Sequence, residues 1–231
     1  MAIFGVDSLE LSTHTVASGQ TLYDWVVSQG KTPQFWGRYL NGSGILTSAE
    51  VTYLHGKNCK IIPIFSGTKN CSNSNATQAQ GNADGQLAVT AAKALSIPNG
   101  TVIYVDIESG YTPSSAWLQG YCDALWNGNP TYYTPGFYCD PTSASFTTPF
   151  NAAVAAGTSH IGLGLSMIWV SMPSLSTAIT AALPAWNPGT FQSFAQNNIN
   201  FWQYRENASA PNGTQVDLDE ARDTAAMINI W

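Results

Sequence analysis

The octapeptide Thr101-Val102-Ile103-Tyr104-Val105-Asp106-Ile107-Glu108 is the most strand-like run in the chain. Its β-branched and aromatic residues suit a pleated surface, and neither Gly nor Pro interrupts it. Side chains alternate along a strand, so Ile103, Val105 and Ile107 share one face and Tyr104, Asp106 and Glu108 the other. The apolar face is suited to pack beneath helices. The opposite face carries Tyr104 inward and ends in two carboxylates, whose Cβ atoms stand roughly 6–7 Å apart at about 3.3 Å rise per residue.

Helical patterns flank this strand. Alanine-rich residues 78–95 precede it, after a Ser/Asn-rich loop at 69–75. Residues 113–126 follow it, with Ser114 or Ser115 as cap. The alternation continues outward. Strands are expected at Ile3–Asp7, 35–40, Lys60–Phe65, 136–139, within 162–171, and at 200–205. Helices are expected near 21–29, at 47–58 and at 150–156, with a closing helix at 218–228. Thr47 followed by Glu50 has the capping-box spacing. Residues 173–198 read as irregular, with one helical piece at 178–183.

Strand-then-helix alternation over the whole chain implies a parallel sheet covered by helices. About eight such units in 231 residues point to a closed (β/α)8 TIM-type barrel with one degenerate β/α unit, forming a single domain over 1–231. An open doubly wound sheet is the competitor and would normally bring a glycine-rich phosphate turn after the first strand. Here Asp7 is followed by Ser8-Leu9-Glu10, and no such turn occurs.

The hydrophobic fraction of 44% is ample for one sizeable core. Charged residues are only 10%, against about a quarter in ordinary soluble chains, and Asn, Gln, Ser and Thr take their place. Net charge is −6, with eight Lys and Arg scattered singly. That pattern offers no basic stripe for nucleic acid and no polybasic membrane surface. No run is long enough to insert into a membrane. Met1-Ala2 leads straight into Ile3–Val6 without the features of a signal peptide. The amide-rich surface fits a secreted or cell-surface protein, and a monomer is expected. Cys59, Cys71, Cys122 and Cys139 show no CxxC spacing, so no metal site and no cofactor are expected. Pairing within Cys59/Cys71 and Cys122/Cys139 competes with four buried thiols.

Barrel enzymes place reactive groups at the C-terminal ends of strands. The acids at such positions are Asp7, Asp106 and Glu108, Asp140 (followed by Pro141, a turn former), and Asp217 with Asp219 after the last strand. Adjacent carboxylates raise each other's pKa, and burial adds to the effect. A carboxylic acid kept protonated near neutral pH can donate to a glycosidic oxygen. The alternatives for Asp106 and Glu108 are a metal, a helix cap or a partner in Arg38. Arg38 in turn can hold those acids ionised, grip a substrate carboxylate, or pair with a buried acid. His14, His55 and His160 are isolated and no GxSxG occurs, which argues against a serine hydrolase.

Five motifs occur in one order: Gly5-Val6-Asp7, Asp106-Ile107-Glu108, Trp169-Val170-Ser171, Trp202-Gln203-Tyr204 and Val216-Asp217-Leu218-Asp219. The series resembles the family 25 lysozymes. It resembles more closely the glycoside hydrolase-like domain family of bacterial surface proteins, in which Gly37-Arg38-Tyr39 also has a counterpart. The resemblance implies Glu108 as general acid/base, with Asp106 as nucleophile or as support for a substrate acetamido group. Asp7 and Asp217 would tune that pair. Arg38, Gln203, Tyr204 and Tyr104 would line the substrate site, and Trp36 and Trp202 would stack on pyranose rings or belong to the core. The chain departs from the lysozyme pattern where Asp219 replaces an Asn. A chitinase would need a further Asp at the place of Tyr104. The implied substrate is a cell-wall polysaccharide, peptidoglycan or a related N-acetylated β-1,4 glycan, bound in a sugar-sized hollow. A catalytically silent glycan-binding barrel and a hydrolase of another surface polysaccharide are the competing readings.

Overall fold

The computed structural model describes residues 3–17, 19–127, 132–157, 160–161, 167–173, 183–191 and 196–231. Its elements are β1 (Ile3–Asp7), β2 (Thr15–Ala17), β3 (Gln20–Thr21), α1 (Leu22–Ser28), β4 (Phe35–Tyr39), α2 (Ser48–Gly56), β5 (Lys60–Phe65), α3 (Gln78–Ala94), β6 (Val102–Ile107), α4 (Ser115–Trp126), β7 (Thr134–Cys139), α5 (Ala144–Ala156), β8 (Met167–Ser171), β9 (Ile199–Ser209) and β10 (Gln215–Ala221). Eight strands close a barrel in the order β1-β4-β5-β6-β7-β8-β9-β10, while β2 and β3 form a small separate hairpin. Seven barrel strands run parallel. The eighth, β10, is antiparallel to both β9 and β1.

The expected closing helix over 218–228 is thereby corrected to a strand that ends at Ala221. Val216 and Leu218 alternate with Asp217 and Asp219, so the segment has a period of two and buries its apolar side chains under the outer layer. Asn212-Gly213, with Gly213 at φ 84°, turns the chain back from β9. The degenerate unit expected in the count is this hairpin. α5 starts six residues before the expected 150, with Phe146 and Phe150 one helical turn apart and both buried against Phe137. Residues 162–166, and 178–182 of the expected helical piece, lie outside the described residues.

The helices start where local chemistry allows. Thr21, Thr47, Thr77 and Ser114 each accept a hydrogen bond from the backbone of the following turn, and Thr77 with Gln80 forms a full capping box. At Thr47 only half of the expected box forms, because the Glu50 carboxylate is taken by Arg38. Among the described residues, no helix is long and apolar enough to cross a membrane.

Two apolar layers result. Outward-facing strand residues, among them Val6, Ile103, Val105 and Val170, pack against the helices. Inward-facing Phe35, Ile62, Tyr104, Trp169 and Phe201 fill the barrel. The rings interlock edge to face, with centroids 5.0 Å apart for Phe35–Phe201 and 5.7 Å for Tyr104–Trp169. Such pairs add about 0.5–1.5 kcal/mol beyond the area they bury. The interior is therefore a plugged floor, and polar chemistry is confined to the mouth above it. All four cysteines are buried and unpaired, which decides for thiols over the two disulfides.

Candidate active site

Alternation along each strand brings the last inward position of several strands to one level. Asp7 of β1 stands opposite Asp217 of β10, and Gly5 opposite Asp219 one layer deeper. Gln203 enters from β9, Tyr39 from β4, Tyr138 from β7 and Asp106 from β6, with Glu108 just beyond the strand at the exposed rim. Gly37 makes this convergence possible. A Cβ there would lie 2.6 Å from the Asp7 Cβ and 2.9 Å from the Trp169 ring.

Gln203 organises the floor of the mouth. Its Nε2 donates to Asp7 Oδ2 at 3.1 Å and to Asp217 Oδ2 at 3.3 Å. Its Oε1 accepts from the Tyr138 hydroxyl at 2.7 Å and from Ser171 Oγ at 3.1 Å. Asp217 Oδ1 accepts from the Asn207 N–H at 2.6 Å. Asp106 Oδ2 accepts from the Tyr39 hydroxyl at 3.3 Å, while its Oδ1 has no partner among the described residues. Below them the Trp169 indole donates to Asp219 Oδ1 at 3.0 Å.

Five carboxyls thus crowd a low-dielectric mouth, and each is pushed toward its protonated form. Burial, reinforced by Glu108, raises Asp106 to about 7. Burial, then Asp7, raises Asp217 to about 8. Burial raises Asp7 to about 6 against the hydrogen bonds from Asp219 and Gln203 that favour its ionised form. Asp219, fully buried beside Asp7, is held far above the carboxylate range and donates its proton to Asp7. Glu108 is raised by partial burial and then by the charge of Glu206. The chemical capacity is that of carboxylic acids available as proton donors near neutral pH.

Asp7, Asp106, Glu108, Asp217 and Gln203 line one hollow together with Tyr39, Ile64, Tyr138 and Trp169. Among the described residues its volume is about 40 Å³. Liquid water occupies about 30 Å³ per molecule, so this is a pit rather than the expected sugar-sized hollow. A sugar would sit over the rim, not inside. Among the described residues no group of three or more His, Cys, Asp or Glu is arranged for a metal ion.

Five of the anticipated substrate contacts lie elsewhere. Trp36 faces outward, stacks on Tyr23 at 5.8 Å and donates to Ser8 Oγ. Trp202 also faces outward, with its indole on the Met172 carbonyl and Tyr204 against its ring. Both are 2% exposed or less and cannot stack on a pyranose in this arrangement. Tyr204, two positions from outward-facing Trp202, is buried in the same layer, not at the rim. Tyr104 points into the barrel as expected but belongs to the buried aromatic floor. Arg38 is fully buried and turned outward, paired with Glu50 at 2.9 Å. It also donates to the carbonyls of Ser8, Leu9 and Gly44. Its role is to fasten the loops after β1 and β4 to α2. Asp140 starts a turn through Thr142.

Tyr39 and Trp169 occur in the family motifs without an assigned site role, and Tyr138 occurs in none of them. Their signal is positional, since each is an inward residue at or near the C-terminal end of its strand. Glu206 carried no signal, because it becomes a neighbour only through the β9–β10 hairpin.

Residues 29–222 match the family described as Rv2525c-like, glycoside hydrolase-like domain. An uncharacterized protein of B. stearothermophilus is 26% identical, with a TM-score of 0.83 over 99% of this chain and 100% of that one. The Tat-secreted protein Rv2525c of Mycobacterium tuberculosis is 13% identical, with a TM-score of 0.61 over 99% and 98% of the two chains. The bacterial lysozyme from Streptomyces coelicolor is 14% identical, with a TM-score of 0.54 over 98% and 94%. At those identities the last two show a shared fold. No match was found among curated proteins.

Proposed function

The chain belongs to the Rv2525c-like glycoside hydrolase-like domain family, and on that premise we propose that it is a glycosidase acting on peptidoglycan or a related N-acetylated β-1,4 glycan. The observation that carries this reading is the convergence of Asp7, Asp106, Glu108 and Asp217 on one pit at the strand ends. Glu108 is the general acid/base. It is exposed at the rim where a scissile oxygen would arrive, and its raised pKa keeps it protonated further toward neutral pH than an ordinary Glu. Asp106, which lines the pit and has one oxygen without a partner among the described residues, stabilises the developing positive charge or orients an acetamido group. Asp7 and Asp217, fixed by Gln203, set the field around that pair. A secreted or cell-surface monomer fits this role, and the likeness to a Tat-secreted protein supports export.

The test is loss of turbidity of bacterial cell walls treated with the purified protein. Glu108→Gln should reduce lysis by about 10²-fold or more, the scale of general acid catalysis, without lowering Tm. Undiminished lysis by this variant would remove Glu108 from the mechanism.

The small volume of the pit favours a second reading, a barrel that binds wall glycan without cleaving it. It predicts glycan binding that survives Glu108→Gln, with no reducing ends released by either protein.

A further inference from the structure

The pit is small and lined by acid on several sides. Asp7, Asp106, Glu108 and Asp217 all reach it, and exposed Glu206 adds negative charge at the rim. All eight Lys and Arg of the chain lie among the described residues, and none lines the pit. Arg38 is committed to Glu50 on the far side of β4. Arg205 is turned away by a β-bulge. Tyr204 is the extra residue of β9, and Arg205 falls in register with outward-facing Leu218 instead of with Asp217. Asp106 lines the pit and is 6% exposed, and its buried Oδ1 has no hydrogen-bond partner among the described residues.

A ligand group entering here has to be small, a hydrogen-bond donor and cationic or neutral. A free carboxylate, such as the lactyl group of a muramic residue, finds no Lys or Arg lining the pit and approaches its acids.

We propose that the pit receives the ammonium group of an unacetylated amino sugar, so that the preferred glycan carries a free amine on the residue seated against Asp106 and Asp217. The inference rests on the glycosidase reading and narrows it to glycans with de-N-acetylated units. An ammonium has three donors. The Asp106 carboxylate lines the pit to accept one, and the carboxylates of Asp7 and Asp217 flank the remainder. A volume of about 40 Å³ accommodates such a head group while the sugar ring stays above, within reach of Glu108. Acids poised near neutrality ionise when a cation arrives, which strengthens the attraction without requiring a cluster of bare charges beforehand.

Calorimetric titration with a glucosamine tetramer and an N-acetylglucosamine tetramer tests this. The glucosamine tetramer should bind at least about tenfold tighter, and the advantage should shrink as salt screens the charges. Asp106→Asn should reduce the advantage severalfold. Exposed Glu206→Gln, which keeps an acceptor for the Ser171 hydroxyl, should reduce it in the same direction. Equal or tighter binding of the acetylated tetramer, or binding of neither, overturns the proposal. Cell-wall lysis separates the two readings. Lysis that depends on Glu108, together with no preference for the amine, leaves the glycosidase and removes the ammonium site. A tenfold preference without lysis removes the glycosidase and keeps the site.

Discussion

Asp219 has no exposed surface, and its two oxygens have different tasks. Oδ1 accepts the Trp169 indole N–H, and the protonated carboxyl donates to Asp7. An amide reproduces that pattern, one acceptor and one donor. Asp219→Asn should therefore keep Tm within a degree or two at neutral pH. Asp219→Ala leaves the indole N–H without an acceptor, while Asp7 keeps Gln203, and should cost about 1–3 kcal/mol for the unsatisfied indole. Thermal melts of both variants check this. A destabilised Asn variant beside a tolerated Ala variant would show that Asp219 is ionised or idle. The individual acids were legible in the sequence because strand ends in barrels carry the chemistry. The donor–acceptor order among them was not, since it depends on register across β1 and β10.

Between elements, α3 and α4 approach so closely that glycine backbones form the contact. A Cβ on Gly120 would lie 2.0 Å from the Gln78 carbonyl oxygen, and one on Gly81 would lie 2.0 Å from that of Trp117. Two effects oppose each other in Gly120→Ala. Helix propensity favours alanine by about 1 kcal/mol. Overpacking typically costs about 1–3 kcal/mol, and here the obstacle is backbone that cannot rotate away. The clash should win, and urea unfolding should show a net loss. A variant as stable as the parent would mean that the two helices slide apart freely. Helix starts such as Thr77 and Ser114 were readable because a cap is a local event. Residues 218–228 carry good helix formers, whereas the Asn212-Gly213 turn and the partners on β9 and β1 impose a strand as far as Ala221. Local propensity lost to tertiary pairing.

For the whole molecule, the acidic mouth links stability to pH. Asp7, Asp106 and Asp217 titrate at about 6, 7 and 8 when folded, against the ordinary 3.8. The folded state therefore holds protons that the unfolded chain has released. These groups contribute their full stability below about pH 4, and that contribution is lost as pH rises through 6 to 8. Tm should fall between pH 5 and pH 8. A loss of about 2 kcal/mol corresponds to roughly 4–8 °C in a chain of this length. A melting temperature that rises over the same interval would show that the mouth acids are ionised at little cost. The sequence by itself determined the barrel, because apolar alternation and strand–helix succession are written in neighbouring residues. Strand ends singled out Asp7, Asp106 and Glu108 as candidates and the family resemblance added Gln203, whereas Asp217, expected beyond the last strand, lies within antiparallel β10. Only the tertiary structure decided that Trp36, Trp202 and Tyr204 face the helices, that Arg38 serves Glu50, and that the eighth strand runs backward. Those outcomes depend on which residues, distant along the chain, come to share a face, and a period of two does not say which face is inside.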